Sequence, residues 1–155
     1  MSVAELVRRA TALGMRIATA ESCTGGMVAV AITDIAGSSA VLDRGFVTYS
    51  NQAKQDMLGV GPATLEAYGA VSPEVAREMA EGALARAKVD LAVSVTGIAG
   101  PGGSEFKPEG RVCFGLAMRG RETVVETVEF GALGRDLVRG AARDHALELL
   151  ARALG

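Results

Sequence analysis

Residues 17–26, with the sequence Ile-Ala-Thr-Ala-Glu-Ser-Cys-Thr-Gly-Gly, are the most informative part of this chain. They begin as a β-branched run that is typical of a strand, and an apolar, helix-like run from Met27 to Ile35 follows them. Glycines let a backbone approach a ligand closely, and a helix N-terminus offers free N–H groups to an anion. The stretch therefore predicts a strand-to-helix turn that presents Ser22, although small residues also occur at such turns for packing alone.

The overall composition excludes several classes of protein. The 155 residues are 49% hydrophobic and 22% charged, which is typical of one globular domain spanning 1–155. A formal net charge of -2 argues against a broad nucleic-acid-binding face. Apolar runs fall short of the roughly 18 residues of a membrane span, and Met1 to Arg9 does not look like an export signal. Cys23 and Cys113 form no CxxC pair, so we expect free thiols and a cytoplasmic protein.

The order of patterns along the chain predicts helices around a mostly parallel sheet with one antiparallel element. Two apolar runs, 112–118 and 123–130, are joined across Arg119-Gly120-Arg121, and so short a connection predicts a hairpin. The other predicted strands are 16–20, 45–49 and 90–96. Predicted helices run from the Ser2 cap to near Gly14, over 24–34, over 51–58 with Asn51 as its cap, from Pro62, from Pro73 to about Lys88, and over 135–154.

Ser22 is the first candidate for chemistry, because a serine becomes a nucleophile when a neighbouring group takes its proton. His145, the single histidine, lies beside the apolar stripe of the last predicted helix, where packing or surface exposure explains it better than catalysis. Lys54 is the alternative base, in a segment (Tyr49-Ser50-Asn51-Gln52-Ala53-Lys54) that ends a strand and begins a helix. Carboxyl ends of parallel strands meet at one sheet edge, so Ser22, Tyr49 and Lys54 can converge there. A base role requires burial that lowers the lysine pKa, whereas a solvated helix position requires nothing.

A glycine-rich segment, Thr96-Gly97-Ile98-Ala99-Gly100-Pro101-Gly102-Gly103, follows a buried strand and therefore belongs to the same sheet edge. Its spacing matches neither a dinucleotide fingerprint nor a Walker loop. It can cradle a phosphate, cover a substrate or simply connect two strands. Arg135 and Arg139, one turn apart at the start of the last helix, can face the same anion, although a solvated pair is the commoner arrangement.

Two further chemistries can be considered from the residues. Cys23 at a helix N-terminus is a second candidate nucleophile, because such a position lowers the pKa of a thiol. It ranks below Ser22, since no histidine partner is evident. The acidic residues show no metal-ligand spacing and there is no histidine cluster, so we predict no metal site and no cofactor.

Taken together and in order, the motifs resemble the C-terminal domain of the competence/damage-inducible protein CinA. The matching segments are Ala-Glu-Ser-Cys-Thr-Gly-Gly at 20–26, Tyr-Ser-Asn-x-x-Lys at 49–54, Leu-Gly-Val at 58–60, Gly-Ala-Val-Ser at 69–72, Thr-Gly-Ile-Ala-Gly-Pro at 96–101 and Lys-Pro-x-Gly at 107–110. The resemblance implies a three-layer α/β/α sandwich with a mixed sheet. It also implies hydrolysis of the carboxamide of nicotinamide mononucleotide, which yields nicotinic acid mononucleotide and ammonia.

The resemblance further implies a site in which Ser22 is the nucleophile, Lys54 is its base and Tyr49 assists. The residues expected to contact the substrate are Cys23, Thr24, Gly25, Gly26, Ser50, Asn51, Thr96, Gly97, Ala99, Gly100, Gly102, Gly103, and Arg135 or Arg139 at the phosphate. The implied partner is a small-molecule nucleotide, with no nucleic acid and no membrane, and a homodimer or larger homo-oligomer is expected. Two competing hypotheses are a nucleotide-binding module that does not cleave its ligand and a thiol enzyme that uses Cys23.

Overall fold

The structure, a computed structural model, describes residues 1–104 and 106–155. Within these residues the α-helices are α1 (Val3–Leu13), α2 (Met27–Thr33), α3 (Asn51–Leu58), α4 (Pro62–Tyr68), α5 (Pro73–Ala87) and α6 (Arg135–Leu154). The strands are β1 (Ile17–Glu21), β2 (Leu42–Val47), β3 (Leu91–Gly97), β4 (Arg111–Met118) and β5 (Val124–Glu129). A short 3-10 helix, Ser38–Ala40, precedes β2.

The strands form one mixed sheet in the order β2-β1-β3-β4-β5. Strand β1 pairs in parallel with both β2 and β3, whereas β4 pairs antiparallel with β3 and with β5. Within the described chain, β4 is thus the strand that runs against the others. The predicted mostly parallel sheet with one antiparallel hairpin is confirmed.

Helices cover both faces of the sheet, which confirms the three-layer α/β/α sandwich. On one face, α1, α2 and α6 pack with β-strand side chains such as Ile17, Val93 and Phe114 into one core. On the other face, α3, α4 and α5 pack against Ala18, Ala20 and other small strand residues. Alternate residues of each strand face opposite layers, as the pleat requires. Among the described residues, no helix has the length and apolar character of a membrane span.

The helix predicted over 24–34 is shorter in the structure, and the difference shapes the turn that carries Ser22. Helix α2 begins only at Met27, and residues 23–26 form turns before it. Gly25 and Gly26 have φ angles of 59° and 109°, in the left-handed region that glycine adopts without strain. These conformations interrupt the helical path, so the apolar periodicity overestimated the length of α2.

Glu21 caps α2 from the end of β1. Its carboxylate accepts hydrogen bonds from the backbone N–H groups of Val28 at 2.9 Å and Ala29 at 3.1 Å, and from the Thr24 hydroxyl at 2.6 Å. The side chain is 1% exposed. A negative charge at a helix N-terminus is favourable, and here it satisfies N–H groups that the helix itself leaves free. Glu21 therefore fixes the direction in which the turn leaves the sheet.

Helix α3 is capped by Ser50, one residue earlier than the Asn51 cap predicted from the sequence. The Ser50 hydroxyl accepts from the N–H of Ala53 at 3.0 Å, and Gly59 ends the helix with a φ of 72°. The cap places Lys54 in the second turn of α3 with its side chain facing the sheet. Ser50 thereby determines where the lysine amine lies.

Candidate active site

A cleft of about 350 Å³ lies at the carboxyl ends of β1, β2 and β3. This is the edge at which open α/β sheets bind ligands. The walls come from the turn after β1, the connection from β2 to α3, the segment before α5, the residues that end and follow β3, and the start of α6. The lining residues are Ser22, Cys23, Tyr49, Asn51, Lys54, Ala70, Val71, the continuous stretch 96–104, and Arg135.

The side chains of Ser22 and Lys54 meet inside this cleft. The amine Nζ of Lys54 lies 3.0 Å from the hydroxyl Oγ of Ser22, although 32 positions separate the two residues in sequence. The N–H of Ser22 donates to the carbonyl of Val95 at 2.9 Å, so sheet pairing extends one residue beyond β1 and holds the serine backbone. Ser22 is 8% exposed and lines the cleft.

Burial perturbs the acid–base chemistry of Lys54. Its side chain is among the largest fully buried ones in the described chain, at 1% exposed. No carboxylate forms a salt bridge with it in the part of the chain that the structure describes. Removal from water disfavours the charged amine and lowers the Lys54 pKa from 10.5 to about 8. With this pKa, about a tenth of the Lys54 side chains are neutral at pH 7.

Three oxygen atoms surround the amine of Lys54. Nζ donates to the carbonyl oxygens of Thr48 at 2.8 Å and Tyr49 at 3.2 Å. Nζ donates to Ser22 Oγ as well, so the three acceptors satisfy all three N–H bonds of the charged amine; once the amine loses a proton, one of these three directions holds its lone pair. The Ser22 hydroxyl is 3.5 Å from the Tyr49 carbonyl, too far for a strong competing bond. The arrangement places the serine hydroxyl within hydrogen-bond distance of the lysine amine.

Tyr49 contributes to this pair through its backbone and not through its phenol. The ring is 62% exposed, and its hydroxyl accepts a hydrogen bond from Nη2 of Arg135 at 3.0 Å. The contacts of Tyr49 with Lys54 and Ser22 are made by its carbonyl oxygen. The phenol instead lies at the mouth of the cleft beside an arginine.

Arg135 and Arg139, which the sequence could not distinguish, have different surroundings in the structure. Arg139 donates through Nε to the Cys23 carbonyl at 2.9 Å and reaches the Thr24 carbonyl at 3.5 Å, so it braces the turn from behind. Arg135 lines the cleft and donates to the Gly100 carbonyl at 2.6 Å. Of the two, Arg135 is the cation that a ligand in the cleft can reach.

Four residues expected to contact the substrate lie outside the cleft walls. The Thr24 side chain is turned toward Glu21, and a Cβ on Gly25 would point at Nη2 of Arg139, 3.4 Å away. Gly25 and Gly26 border a separate groove between α2 and α6. Ser50 caps α3. Thr24, Gly25 and Gly26 face away from the cleft because the turn packs onto α2 and α6, and Ser50 is occupied as the cap of α3.

The residues of the glycine-rich segment line the cleft as a continuous wall. Thr96 donates from its hydroxyl to the Ala70 carbonyl at 2.8 Å, which ties the end of β3 to the segment before α5. Gly97, Ala99, Gly100, Gly102 and Gly103 follow along the wall, and Asn51 faces them from the start of α3. The backbone groups of this wall can therefore meet a ligand directly.

Burial makes Cys23 an unsuitable nucleophile. It raises the pKa of the Cys23 thiol to about 11, in spite of nearby Arg139 and Lys54. The lowered pKa considered from the sequence assumed that Cys23 begins a helix, but α2 starts only at Met27. Near neutral pH the residue is a thiol and not a thiolate, which disfavours the thiol-enzyme hypothesis.

His145 packs in the core between α6 and the hairpin, remote from the cleft walls. Its ring centroid lies 4.5 Å from that of Phe114 and 6.3 Å from that of Phe130. The Nε2 atom is 3.4 Å from a carboxylate oxygen of Glu126 on β5. These contacts give the histidine a packing role, as its position in the apolar stripe predicts.

The charged side chains that line the described cleft are both cations, Lys54 and Arg135. A cleft with this charge favours an anionic ligand, and the arginine fork suits a phosphate. Among the described residues, no group of three or more His, Cys, Asp or Glu side chains is arranged to hold a metal ion.

Sequence reasoning missed two carboxylates that organise the site, Glu21 and Glu109. Glu21 caps α2 as described above. Glu109 accepts hydrogen bonds from the N–H groups of Gly102 at 2.7 Å and Gly134 at 3.3 Å. The backbone partners of the two carboxylates lie 7, 8 or 25 residues away, so no local spacing identifies them. The available sequence signals were weak: Glu21 ends a buried strand, and Glu109 follows a Lys-Pro pair.

Known proteins resemble this chain over nearly its whole length. The sequence model of the CinA C-terminal domain matches residues 2–154. A nicotinamide-nucleotide amidohydrolase, PncC, of Escherichia coli strain K12 is 53% identical over 152 residues, which cover 97% of this chain and 92% of that protein. A CinA-like protein of Chlorobium phaeobacteroides is 52% identical over 146 residues, which cover 91% of this chain. The match spans only 34% of that longer relative.

Solved structures show the same fold. The competence/damage inducible protein CihA of Agrobacterium tumefaciens superimposes with a TM-score of 0.91 at 52% sequence identity, covering 98% of this chain and 94% of that one. A CinA superfamily protein of Escherichia coli superimposes with a TM-score of 0.93 at 38% identity, covering 97% of this chain and 87% of that one. The family resemblance carried by the motifs is confirmed, and this chain belongs to the CinA C-terminal domain family.

Proposed function

We propose that this chain is a single catalytic domain that hydrolyses the carboxamide of nicotinamide mononucleotide to nicotinic acid mononucleotide and ammonia. Relatives named nicotinamide-nucleotide amidohydrolase, 53% identical over most of the chain, support the reaction class. The cationic cleft supports a substrate that carries a phosphate. We further propose that Ser22 is the nucleophile and Lys54 its general base.

The observation that carries this proposal is the buried contact between Lys54 Nζ and Ser22 Oγ at 3.0 Å. A buried lysine without a carboxylate partner is costly to keep charged, and a protein gains nothing from it as a packing element. A lysine whose lowered pKa leaves part of it neutral near pH 7, and whose amine lies next to a serine hydroxyl, has the properties of a general base. Because Lys54 also lines a ligand-sized cleft, a role as general base is the simplest explanation for burying its amine.

In the acylation step, neutral Lys54 removes the proton of Ser22 while Oγ attacks the carboxamide carbon. The carbonyl π bond opens, and the negative charge that develops on its oxygen needs hydrogen-bond donors nearby. We assign this role to the backbone N–H of Cys23, which lines the cleft next to Ser22. The protonated lysine then passes its proton to the departing nitrogen, the C–N bond breaks and ammonia leaves.

In the deacylation step, a water molecule enters the position that ammonia vacated. Lys54, neutral again, takes a proton from this water as its oxygen attacks the acyl carbon. Collapse of the second tetrahedral intermediate breaks the ester bond, and Lys54 returns the proton to Ser22 Oγ. The nicotinic acid group so formed loses its proton to solvent, and the product leaves with Ser22 free for the next cycle.

Arg135 is proposed to bind the 5′-phosphate at the mouth of the cleft. Replacing Arg135 with glutamine is expected to raise KM for nicotinamide mononucleotide by roughly 10- to 100-fold, since a charge-assisted hydrogen bond contributes about 1.5–3 kcal/mol. The kcat should change by less than about threefold, because the guanidinium does not touch the reacting amide. Steady-state kinetics on the purified variant measure both quantities.

Nicotinamide riboside, which lacks the phosphate, provides the control for this prediction. Its KM should be the same for the wild type and for Arg135→Gln, since the lost interaction needs the phosphate. Arg121→Gln, which removes an exposed arginine in the hairpin connection, should behave as the wild type with both substrates. An equal loss with both substrates would assign Arg135 a structural role and contradict phosphate binding.

The rate should rise with pH as Lys54 loses its proton. With a pKa of about 8, the neutral fraction is about a tenth at pH 7 and about nine tenths at pH 9. We therefore expect kcat/KM to increase nearly tenfold per pH unit below pH 7.5 and to level off above pH 8.5. Measurements from pH 6.8 to 9.5 avoid the second ionisation of the substrate phosphate, near pH 6. A rate that falls steadily over this range would exclude Lys54 as the base.

The reaction itself is tested by ammonia release from nicotinamide mononucleotide by the purified protein. Stoichiometric nicotinic acid mononucleotide in the same sample supports the proposed function. Tight nucleotide binding by folded protein without ammonia release would contradict it and would favour the nucleotide-binding module instead. Isothermal titration calorimetry beside the assay separates these two outcomes.

A further inference from the structure

Glu109 links two parts of the chain that form the phosphate end of the cleft. It lies just before β4, and its carboxylate turns back toward the glycine-rich segment, residues 96–103. One carboxylate oxygen accepts from the N–H of Gly102 at 2.7 Å, and the other accepts from the N–H of Gly134 at 3.3 Å. Gly102 belongs to the cleft wall, whereas Gly134 immediately precedes α6. One half-buried side chain therefore connects the glycine-rich segment to the start of that helix.

The contact between Glu109 and the glycine-rich segment is close-packed. Gly100 adopts a φ of 93°, and a Cβ at that position would lie 2.5 Å from the carboxyl carbon of Glu109. The glycine thus leaves the space that the carboxyl group fills. Glu109 itself does not line the cleft, so it contacts the site through its neighbours and not through the ligand.

Arg135 depends on the two parts of the chain that Glu109 joins. It is the first residue of α6, and Gly134 before it has a φ of 99° and no side chain with which to cap the helix. The Arg135 guanidinium donates to the Gly100 carbonyl at 2.6 Å and to the Tyr49 hydroxyl at 3.0 Å. Its position therefore follows both the start of α6 and the backbone of the glycine-rich segment. The negative charge of Glu109 near the helix N-terminus also interacts favourably with the helix dipole.

We propose that Glu109 is a positioning residue. Its hydrogen bonds to the N–H groups of Gly102 and Gly134, together called the clasp, hold Arg135 where the substrate phosphate binds. The effect on turnover rests on the proposed function. The Ser22–Lys54 pair lies on other elements, at the end of β1 and on α3, so the clasp acts on substrate binding and not on the chemical step. Loss of the Glu109 carboxylate should therefore raise KM while leaving kcat nearly unchanged.

The test replaces Glu109 with glutamine, which keeps the size of the side chain but loses the charge and one acceptor oxygen. We expect KM for nicotinamide mononucleotide to rise about three- to tenfold, with kcat within twofold of the wild type, because a small misplacement of a binding group weakens binding. Glu109→Asp keeps the charge on a shorter side chain and should restore part of the loss. Glu122→Gln, an exposed site in the hairpin connection, is the matched control and should change neither constant.

Amide hydrogen exchange, followed by NMR, gives a readout that a general loss of stability does not mimic. In Glu109→Gln, the N–H groups of Gly102 and Gly134 should both exchange faster, while N–H groups within β1 and β3 keep their protection. An unchanged KM, or a fall in kcat of the same size as the rise in KM, would overturn the positioning role. Faster exchange throughout the sheet would also overturn it, because Glu109 would then act on stability alone.

A binding measurement distinguishes failure of this inference from failure of the proposed function. Calorimetry of nicotinamide mononucleotide binding to Ser22→Ala protein, with and without Glu109→Gln, needs no turnover. A three- to tenfold weaker Kd in the double variant supports the clasp even where the wild type releases no ammonia. An identical Kd in the two proteins, or no binding by either, overturns the clasp as a determinant of phosphate binding.

Discussion

Ser22→Ala protein is expected to hydrolyse nicotinamide mononucleotide at least about 10⁴-fold more slowly than the wild type, with its fold intact. Loss of an activated nucleophile has effects of this order or larger in serine hydrolases. The substitution removes one oxygen whose partner, Lys54, keeps two carbonyl acceptors, so the melting temperature should move by only a few degrees. Ammonia release and thermal unfolding of the same preparation measure both effects.

Two matched variants make this result specific to the serine. Cys23→Ser, at the neighbouring position, should retain most of the activity because the buried Cys23 thiol is protonated near neutral pH. His145→Ala should also retain turnover, since His145 packs against Phe114 away from the cleft. Full activity in Ser22→Ala together with its loss in Cys23→Ser would transfer the nucleophile to the thiol. Loss with His145→Ala in folded protein would overturn the Ser22–Lys54 assignment.

Lys54→Met is expected to lower kcat by about 10²–10⁴-fold, the usual contribution of a general base. Methionine matches the length and burial of the lysine stem but cannot accept a proton. The residual rate should also lose its dependence on pH between 7 and 9, because the group that titrates there is gone. Steady-state kinetics across that range test both statements. A variant that stays active and keeps the wild-type pH profile would show that another group is the base.

The pH dependence of stability provides a second and independent measure of the Lys54 pKa. The folded protein releases the lysine proton near pH 8, whereas the unfolded chain holds it to about pH 10.5. Between these values the unfolded state binds more protons, so this group makes the folded state more stable as pH rises. The free energy of unfolding of the wild type should therefore increase relative to Lys54→Met, by up to about 3 kcal/mol.

Denaturant unfolding of both proteins at pH 7, 8, 9 and 10 measures this relative change. Other groups that titrate in this range are common to the two proteins and cancel in the difference. Lys54→Gln, an uncharged polar variant, should show the same relative trend and provides the control for side-chain polarity. A difference that stays constant from pH 7 to 10 would mean that the buried lysine has an ordinary pKa, and its role as base would fail with it.

Most of the secondary structure follows from local signals in the sequence. Ser2 accepts a hydrogen bond from the N–H of Glu5 and Gly14 ends α1, as the capping box predicts. The last helix, α6, runs over the predicted residues 135–154. Short-range signals also failed in places: α2 begins at Met27 because the glycine pair before it turns the chain, and Ser50 replaces Asn51 as a cap. In α2 the backbone geometry of the glycines outweighed the apolar periodicity, and in α3 two adjacent residues could cap and Ser50 is the one that does.

The sequence by itself determined which elements form, and it brought Ser22, Lys54 and the glycine-rich segment to one sheet edge. That is possible because caps, glycines and apolar periods act within a few residues, and because parallel strands share one carboxyl edge. Only the tertiary structure decided which groups touch. Arg135 rather than Arg139 reaches the cleft, and the Tyr49 carbonyl rather than its phenol holds Lys54. The two arginine contacts join residues 35 and 116 positions apart, and the packing of α6 against the sheet edge selects them.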